Sequence, residues 1–190
     1  MNETSLSLLD RVRRNEDEHA WEELYGLYSP LLRQWLKKFH VQSADVDDLV
    51  QEVLTAVLKE LPNFTHNERP GAFRKWLKVT LIHRLQNFWR ASKHDKQQLD
   101  LSRLEELSND QSGLSQLWNE EHDRFVLAEL LNRVRPHFQD QTWEAFRLQF
   151  YDNQSVPEVA KHLGMSTNSV YVARSRVLSA LRRESVGLVE

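Results

Sequence analysis

Between Val46 and Leu61 eight apolar side chains (Val46, Leu49, Val50, Val53, Leu54, Val57, Leu58 and Leu61) recur at steps of three and four residues. A strand would bury every second residue, so this spacing gathers onto one face only if the chain coils at about 3.6 residues per turn. The segment predicts an amphipathic helix that Pro62 ends. The same period continues on both sides. Upstream, Trp21, Leu24, Tyr25 and Tyr28 form one stripe, and Leu31, Leu32, Trp35, Leu36 and Phe39 form another after Pro30, where a kink or junction is expected. Downstream, Phe73, Trp76, Leu77, Leu81, Leu85, Phe88 and Trp89 share a face. With only 5 Gly and 5 Pro in 190 residues there is little material for the turns of a sandwich or barrel. The fold class read from this pattern is all-α.

From Ala91 to about Glu120 the period fades, and Ser108 to Ser115 (SNDQSGLS) has a linker's composition. This gives two helical domains, residues 1–92 and 122–190, joined by a linker over 93–121. In the second domain Leu127, Leu130, Leu131 and Val134 precede Pro136, and Trp143, Phe146 and Phe150 follow it. The last forty residues or so then spell a helix-turn-helix. Val156, Val159, Ala160 and Leu163 mark a short helix, Gly164 supplies a positive φ for the turn, and Ser166 or Thr167 can cap a longer helix. With Val170, Ala173, Val177 and Leu181 turned inward, Asn168, Ser169, Tyr171, Arg174, Ser175 and Arg176 are left for DNA. Arginine can read guanine with two hydrogen bonds or grip phosphate.

The net charge of −3 hides a basic island, since residues 69–96 hold 8 basic and 1 acidic side chains. Such an island attracts polyanions even on an acidic protein. In it Arg74, Lys75, Lys78, Arg84 and Arg90 are interleaved with Trp76, His83, Gln86 and Asn87. Cations that track phosphates beside rings and amides that take unstacked bases are the mixture that holds single-stranded DNA. A solvated basic face above buried tryptophans accounts for the pattern equally well. The island is preceded by DVDDLVQE, in which Ser43 or Asp45 can cap the helix and the carboxylates suit its N-terminal dipole. An acidic exposed face there suits docking onto a basic protein surface, or is simply the polar back of a core helix.

Several classes of chemistry fall away. There is no Cys, no HxxxH, no phosphate-binding glycine loop and no nucleophile motif, and Asp45, Asp48 and Glu52 are better read as first-turn carboxylates than as a metal site. No metal, no cofactor and no enzymatic activity are expected. No apolar run approaches membrane-spanning length, and the first ten residues lack a signal peptide's basic start and apolar core, so a cytoplasmic protein with no membrane partner is expected.

The order of these elements, acidic DVDDLVQEVL, then FRKWL opening a basic aromatic helix, then a linker and a helix-turn-helix, resembles the extracytoplasmic-function group of bacterial RNA polymerase sigma factors over about residues 10–90 and 122–184. The resemblance implies a transcription-initiation subunit, with core RNA polymerase and promoter DNA, duplex and melted strand, as partners. It also allows an inhibitory anti-sigma factor. It implies that Asp45, Asp48, Leu49, Gln51 and Glu52 dock on the polymerase clamp helices. Asn63 to Phe73 and the following helix would melt and read the minus-10 element through Arg74, Lys75, Trp76, Lys78, His83, Arg84, Asn87 and Arg90. Trp76 holds the family's aromatic position, while His83 and Asn87 stand where many members have Asn and Asp. Thr167, Asn168, Ser169, Tyr171, Arg174, Ser175 and Arg176 would serve the minus-35 element. Tyr171, Val172 and Ala173 replace a frequent Lys-Ser-Arg run and Arg174 replaces an apolar residue, which either shifts the contacts toward Arg174, Ser175 and Arg176 or rotates the helix slightly. Two rival readings are a helix-turn-helix regulator that acts on duplex DNA without replacing a sigma subunit, and a carboxylate-metal nuclease.

Overall fold

The computed structural model describes residues 8–14, 18–64, 71–91 and 97–185, and among these residues every regular element is helical. They fall into two units that divide at Val126/Leu127. The first contains α1 (Leu8–Arg13), α2 (Glu18–Lys38), α3 (Ser43–Glu60), α4 (Ala72–Ala91), α5 (Gln97–Ser108) and the first part of α6 (Gly113–Val134). The second contains the rest of α6 with α7 (Asp140–Phe150), α8 (Val156–Leu163) and α9 (Thr167–Ser185).

In the first unit α1 packs on α2, α2 on α3, α3 on α4 and α4 on α5. The stripe that predicted α3 is its buried face: Val46, Leu49, Val50, Val53, Leu54 and Val57 are inside, with Leu61 just beyond the helix, and only Leu58 lies at the margin. The expected side-chain cap is absent. Gln42 occupies the N-cap without a side-chain hydrogen bond, and Ser43 and Asp45 are already helical. A cap is worth about 1 kcal/mol, whereas each buried Val or Leu contributes about 1.5–3 kcal/mol. Burial therefore sets where this helix forms.

The junction expected at Pro30 does not exist, because α2 runs through it. Pro30 and Gly26, whose carbonyl the proline leaves without its helical donor, are both on the exposed side, so solvent can satisfy that carbonyl. Leu31, Leu32, Trp35, Leu36 and Phe39 continue the core of the same helix.

The expected linker over 93–121 also differs from what the chain does. Its described part forms α5 and the start of α6, and Leu104, Leu107, Ser115, Trp118 and His122 are buried. Trp118, 0% exposed, meets Trp35 edge-on with ring centroids 5.0 Å apart. Lys38 Nζ donates to the Glu121 carboxylate at 2.5 Å and an Arg103 guanidinium nitrogen donates to the Lys38 carbonyl at 2.9 Å, so both helices grip the end of α2.

In the second unit α7, α8 and α9 pack on one another around Ala145, Leu148, Val159, Ala160, Val170 and Ala173. Ser155 opens α8, with its N–H and hydroxyl both donating to the Glu158 carboxylate at 2.8 and 2.7 Å. Gly164 ends α8 at φ 63°, the left-handed conformation that a Cβ disfavours. Ser166 then caps α9, its Oγ accepting the Ser169 N–H at 3.1 Å.

Candidate functional site

On α3 the alternation of buried and exposed turns decides which of the candidate docking residues reach solvent. Asp48, Gln51 and Glu52 are exposed and Asp45 is half-buried. Leu49 is 3% exposed and belongs to the core, a correction to its place among the docking residues: it lies on the apolar stripe and its side chain cannot meet a partner. Asp48, Gln51, Glu52, Thr55 and Lys59 line an open cleft of about 450 Å³ that Arg84 of α4 closes on the far side. Arg84 also lines a second cleft of about 320 Å³ with Glu60, Thr80, His83, Gln86, Asn87 and Arg90. One arginine thus borders both clefts.

The eight candidate minus-10 residues do not share a surface. At about 100° per residue, Lys78 and Asn87, nine positions apart, project about 180° from one another. His83, Arg84, Asn87 and Arg90 border the second cleft. Arg74, Lys75 and Lys78 instead face carboxylates of their own chain. Lys78 is 2% exposed, and its Nζ donates to Ser115 Oγ at 2.6 Å and to Asp110 at 2.8 Å. Lys75 pairs with the other Asp110 oxygen, and Arg74 pairs with Asp123. A buried ammonium is tolerated only with such partners. Hydrogen bonds from Lys75 and Lys78 pull the Asp110 carboxyl from its ordinary 3.8 to about 2.

Behind Arg74 the cluster continues inward. His122 is fully buried, with Nδ1 3.0 Å from Asp123 and Nε2 3.3 Å from the Tyr28 hydroxyl. Burial pushes the imidazole below its ordinary value, against the opposing pull of Asp123. Burial pushes Asp123 up, yet the hydrogen bonds from His122 and Arg74 outweigh it and leave the carboxyl below its usual range. Asp110, Ser115, His122 and Asp123 escaped the sequence reading. The available signal was the spacing Ser115, Trp118, His122, Val126, a helical stripe in which two members are polar.

Trp76 is half-buried and stacked on Phe64 at 4.8 Å, with Phe73 edge-on at 5.6 Å. Of the segment Asn63 to Phe73, residues 65–70 lie outside the described residues.

On α9 the expectation and the geometry agree in exposure. Thr167, Asn168, Ser169, Arg174, Ser175 and Arg176 are all exposed and Tyr171 is 59% exposed, while Val170, Ala173, Val177 and Leu181 are buried. Among the described residues Arg174 and Arg176 have no carboxylate partner. Also among the described residues, no group of three or more His, Asp or Glu could hold a metal ion, and no helix is long and apolar enough to cross a membrane.

Residues 24–94 match the family model described as Sigma-70 region 2. Over these residues the chain is similar to sigma-70 region 2. The region 2 segment begins in α2 and takes in all of α3 and α4, hence both clefts; the carboxylates that hold Arg74, Lys75 and Lys78 lie beyond it. No curated protein matches the chain. Similar solved structures include CnrH in complex with the cytosolic domain of CnrY, 22% identical over 92% of each chain at a TM-score of 0.39. Another is the RsbN–BldN complex, 19% identical over 92% of this chain and 97% of that one at a TM-score of 0.33.

Proposed function

We propose that the chain is a sigma factor of the extracytoplasmic-function kind, a subunit that binds core RNA polymerase, directs it to particular promoters and helps open them. One observation carries this reading: a sigma-70 region 2 and a helix-turn-helix with an exposed, cation-bearing second helix occur in the same chain. In this reading Asp48, Gln51 and Glu52, with Asp45 at their margin, meet the basic clamp helices, and Leu49 supports them from beneath. His83, Arg84, Asn87 and Arg90 take the minus-10 strand and Trp76 offers a ring to an unstacked base. Thr167, Asn168, Ser169, Tyr171, Arg174, Ser175 and Arg176 form the minus-35 face, in which the two arginines supply the strongest contacts.

The protein's chemistry is then binding energy used to distort DNA. Unstacking a base costs a few kcal/mol, and stacking it on an aromatic ring returns about 1–3 kcal/mol. Cations in the clefts hold the displaced backbone. The bond-making step belongs to the polymerase, so the chain itself is not an enzyme. An anti-sigma factor would act by covering the acidic face of α3 or the exposed face of α9.

Run-off transcription with bacterial core polymerase, with and without the chain, tests the reading. The expected result is a promoter-dependent transcript only when the chain is present. A transcript that requires another sigma subunit identifies the regulator instead, and metal-dependent cleavage of the template identifies the nuclease.

A further inference from the structure

We infer that Asp123 and His122 are positioning residues for minus-10 reading, holding Arg74 against Gly71 and thereby fixing the point at which the chain enters α4. The inference rests on the proposed sigma function and deepens it.

Gly71 has a φ of 72°, and a Cβ built on it would lie 2.5 Å from a terminal guanidinium nitrogen of Arg74. The guanidinium therefore occupies the space that the missing side chain leaves. A long flexible side chain keeps such a position only if its charge is held elsewhere, and Asp123 of α6, 49 residues further along the chain, holds it. Asp123 is held in turn. With the imidazole kept neutral by burial, Nδ1 carries the proton and donates to the carboxylate, and Nε2 accepts from the Tyr28 hydroxyl. Tyr28 packs on Phe73 at 5.4 Å, so the series closes on α4.

The other described end of the same connection is Phe64, stacked on Trp76 and edge-on to Phe73 at 6.0 Å. Residues 64 and 71 thus bracket the segment to which minus-10 reading is assigned, one held by rings and the other by an arginine. A reading site is selective only while its supports hold it to within about 0.5 Å. Asp123 and His122 touch no DNA in this scheme; they act through Arg74.

The general docking of α6 provides a control. Glu121 lies two residues from Asp123 and pairs with Lys38 at the end of α2, away from Gly71. If His122 and Asp123 merely kept α6 in place, losing the Glu121 pair would have the same consequences.

The experiment uses the full chain with core polymerase on a promoter library randomised at the minus-10 and minus-35 elements, with thermal unfolding and polymerase affinity measured for every variant. Asp123→Asn should reduce discrimination among minus-10 sequences about three- to tenfold and leave the minus-35 ranking unchanged. His122→Phe should act in the same direction. Arg74→Lys should retain part of the discrimination that Arg74→Met loses. Glu121→Gln should leave the minus-10 ranking as in the wild type even if it lowers the melting temperature. A wild-type minus-10 ranking in whichever of Asp123→Asn and His122→Phe folds overturns the inference, as does an equal shift in Glu121→Gln. A wild-type chain that gives no promoter-dependent transcript overturns the sigma reading itself, and with it this one.

Discussion

Two basic helices, α4 and α9, carry similar side chains and end with different freedom. On α9 Arg174 and Arg176 stand in solvent without carboxylate partners among the described residues. On α4 Arg74, Lys75 and Lys78 are bound to Asp110 and Asp123, and the open cations are those of the opposite flank, Arg84 and Arg90. The cause is the number of neighbours. Helix α9 packs mainly on α7 and α8, whereas α4 packs on α3 and α5 and is also bonded to α6 through its lysines and arginine. A helix's charge pattern says what it could bind, and its packing says how much of that capacity is left for a partner.

The sharpest way to break this contrast is to show that the first part of α6 does not belong to the first unit. Trp118→Ala should cost that unit about 3–5 kcal/mol in chemical denaturation, with the unfolding of the second unit unchanged. An inert linker would show no loss. Trp118→Phe should cost far less, because the indole N–H is buried with no hydrogen-bond partner among the described residues and its removal sacrifices none there.

The next largest effect concerns binding. Arg176→Ala should weaken binding to duplex DNA by about 1–3 kcal/mol and lower the salt dependence by about one charge. Lys78→Met should leave both unchanged, because its ammonium is spent on Asp110 and Ser115. Equal salt slopes in a fluorescence-anisotropy titration would remove the distinction between the two helices.

A smaller change tests how locally the second reader is built. Gly164→Ala forces a Cβ into the left-handed region at a cost of about 1–2 kcal/mol, and calorimetry should find that cost in the second unit only.

The smallest effects are pH-dependent and belong to the first unit. His122 titrates below its ordinary 6.5 in the fold because it is buried, so below about pH 6.5 the unfolded chain takes up a proton that the folded chain refuses. Stability should fall as the pH drops through that range, and His122→Phe should abolish the slope. Asp110 is held at about 2 by its lysines, so its contribution is complete above about pH 4 and fades as the pH falls toward 2. The carboxylate is half-exposed, which keeps the effect small. The gap between wild type and Asp110→Asn should close over that interval.

The sequence by itself determined what depends on near neighbours in the chain. The stripe from Val46 to Leu61, the turn at Gly164 and the inward set Val170, Ala173 and Val177 are periodic or local features, because helical geometry brings residues three and four apart onto one face whatever lies beyond. The resemblance to sigma factors used the same local strings and meets the family match over residues 24–94. Tertiary structure decided what depends on which faces meet. Pro30 stays inside α2 because the Gly26 carbonyl it leaves bare lies on the exposed side, and Leu49 is withdrawn from the docking face because the stripe claims it. Residues 97–126 join the first unit through Ser115, Trp118 and His122, a core seam that reads as polar until Lys78 and Tyr28 arrive to satisfy it. Those partners lie far away in sequence, and a polar residue is legible as core only once the group that pairs with it is in place.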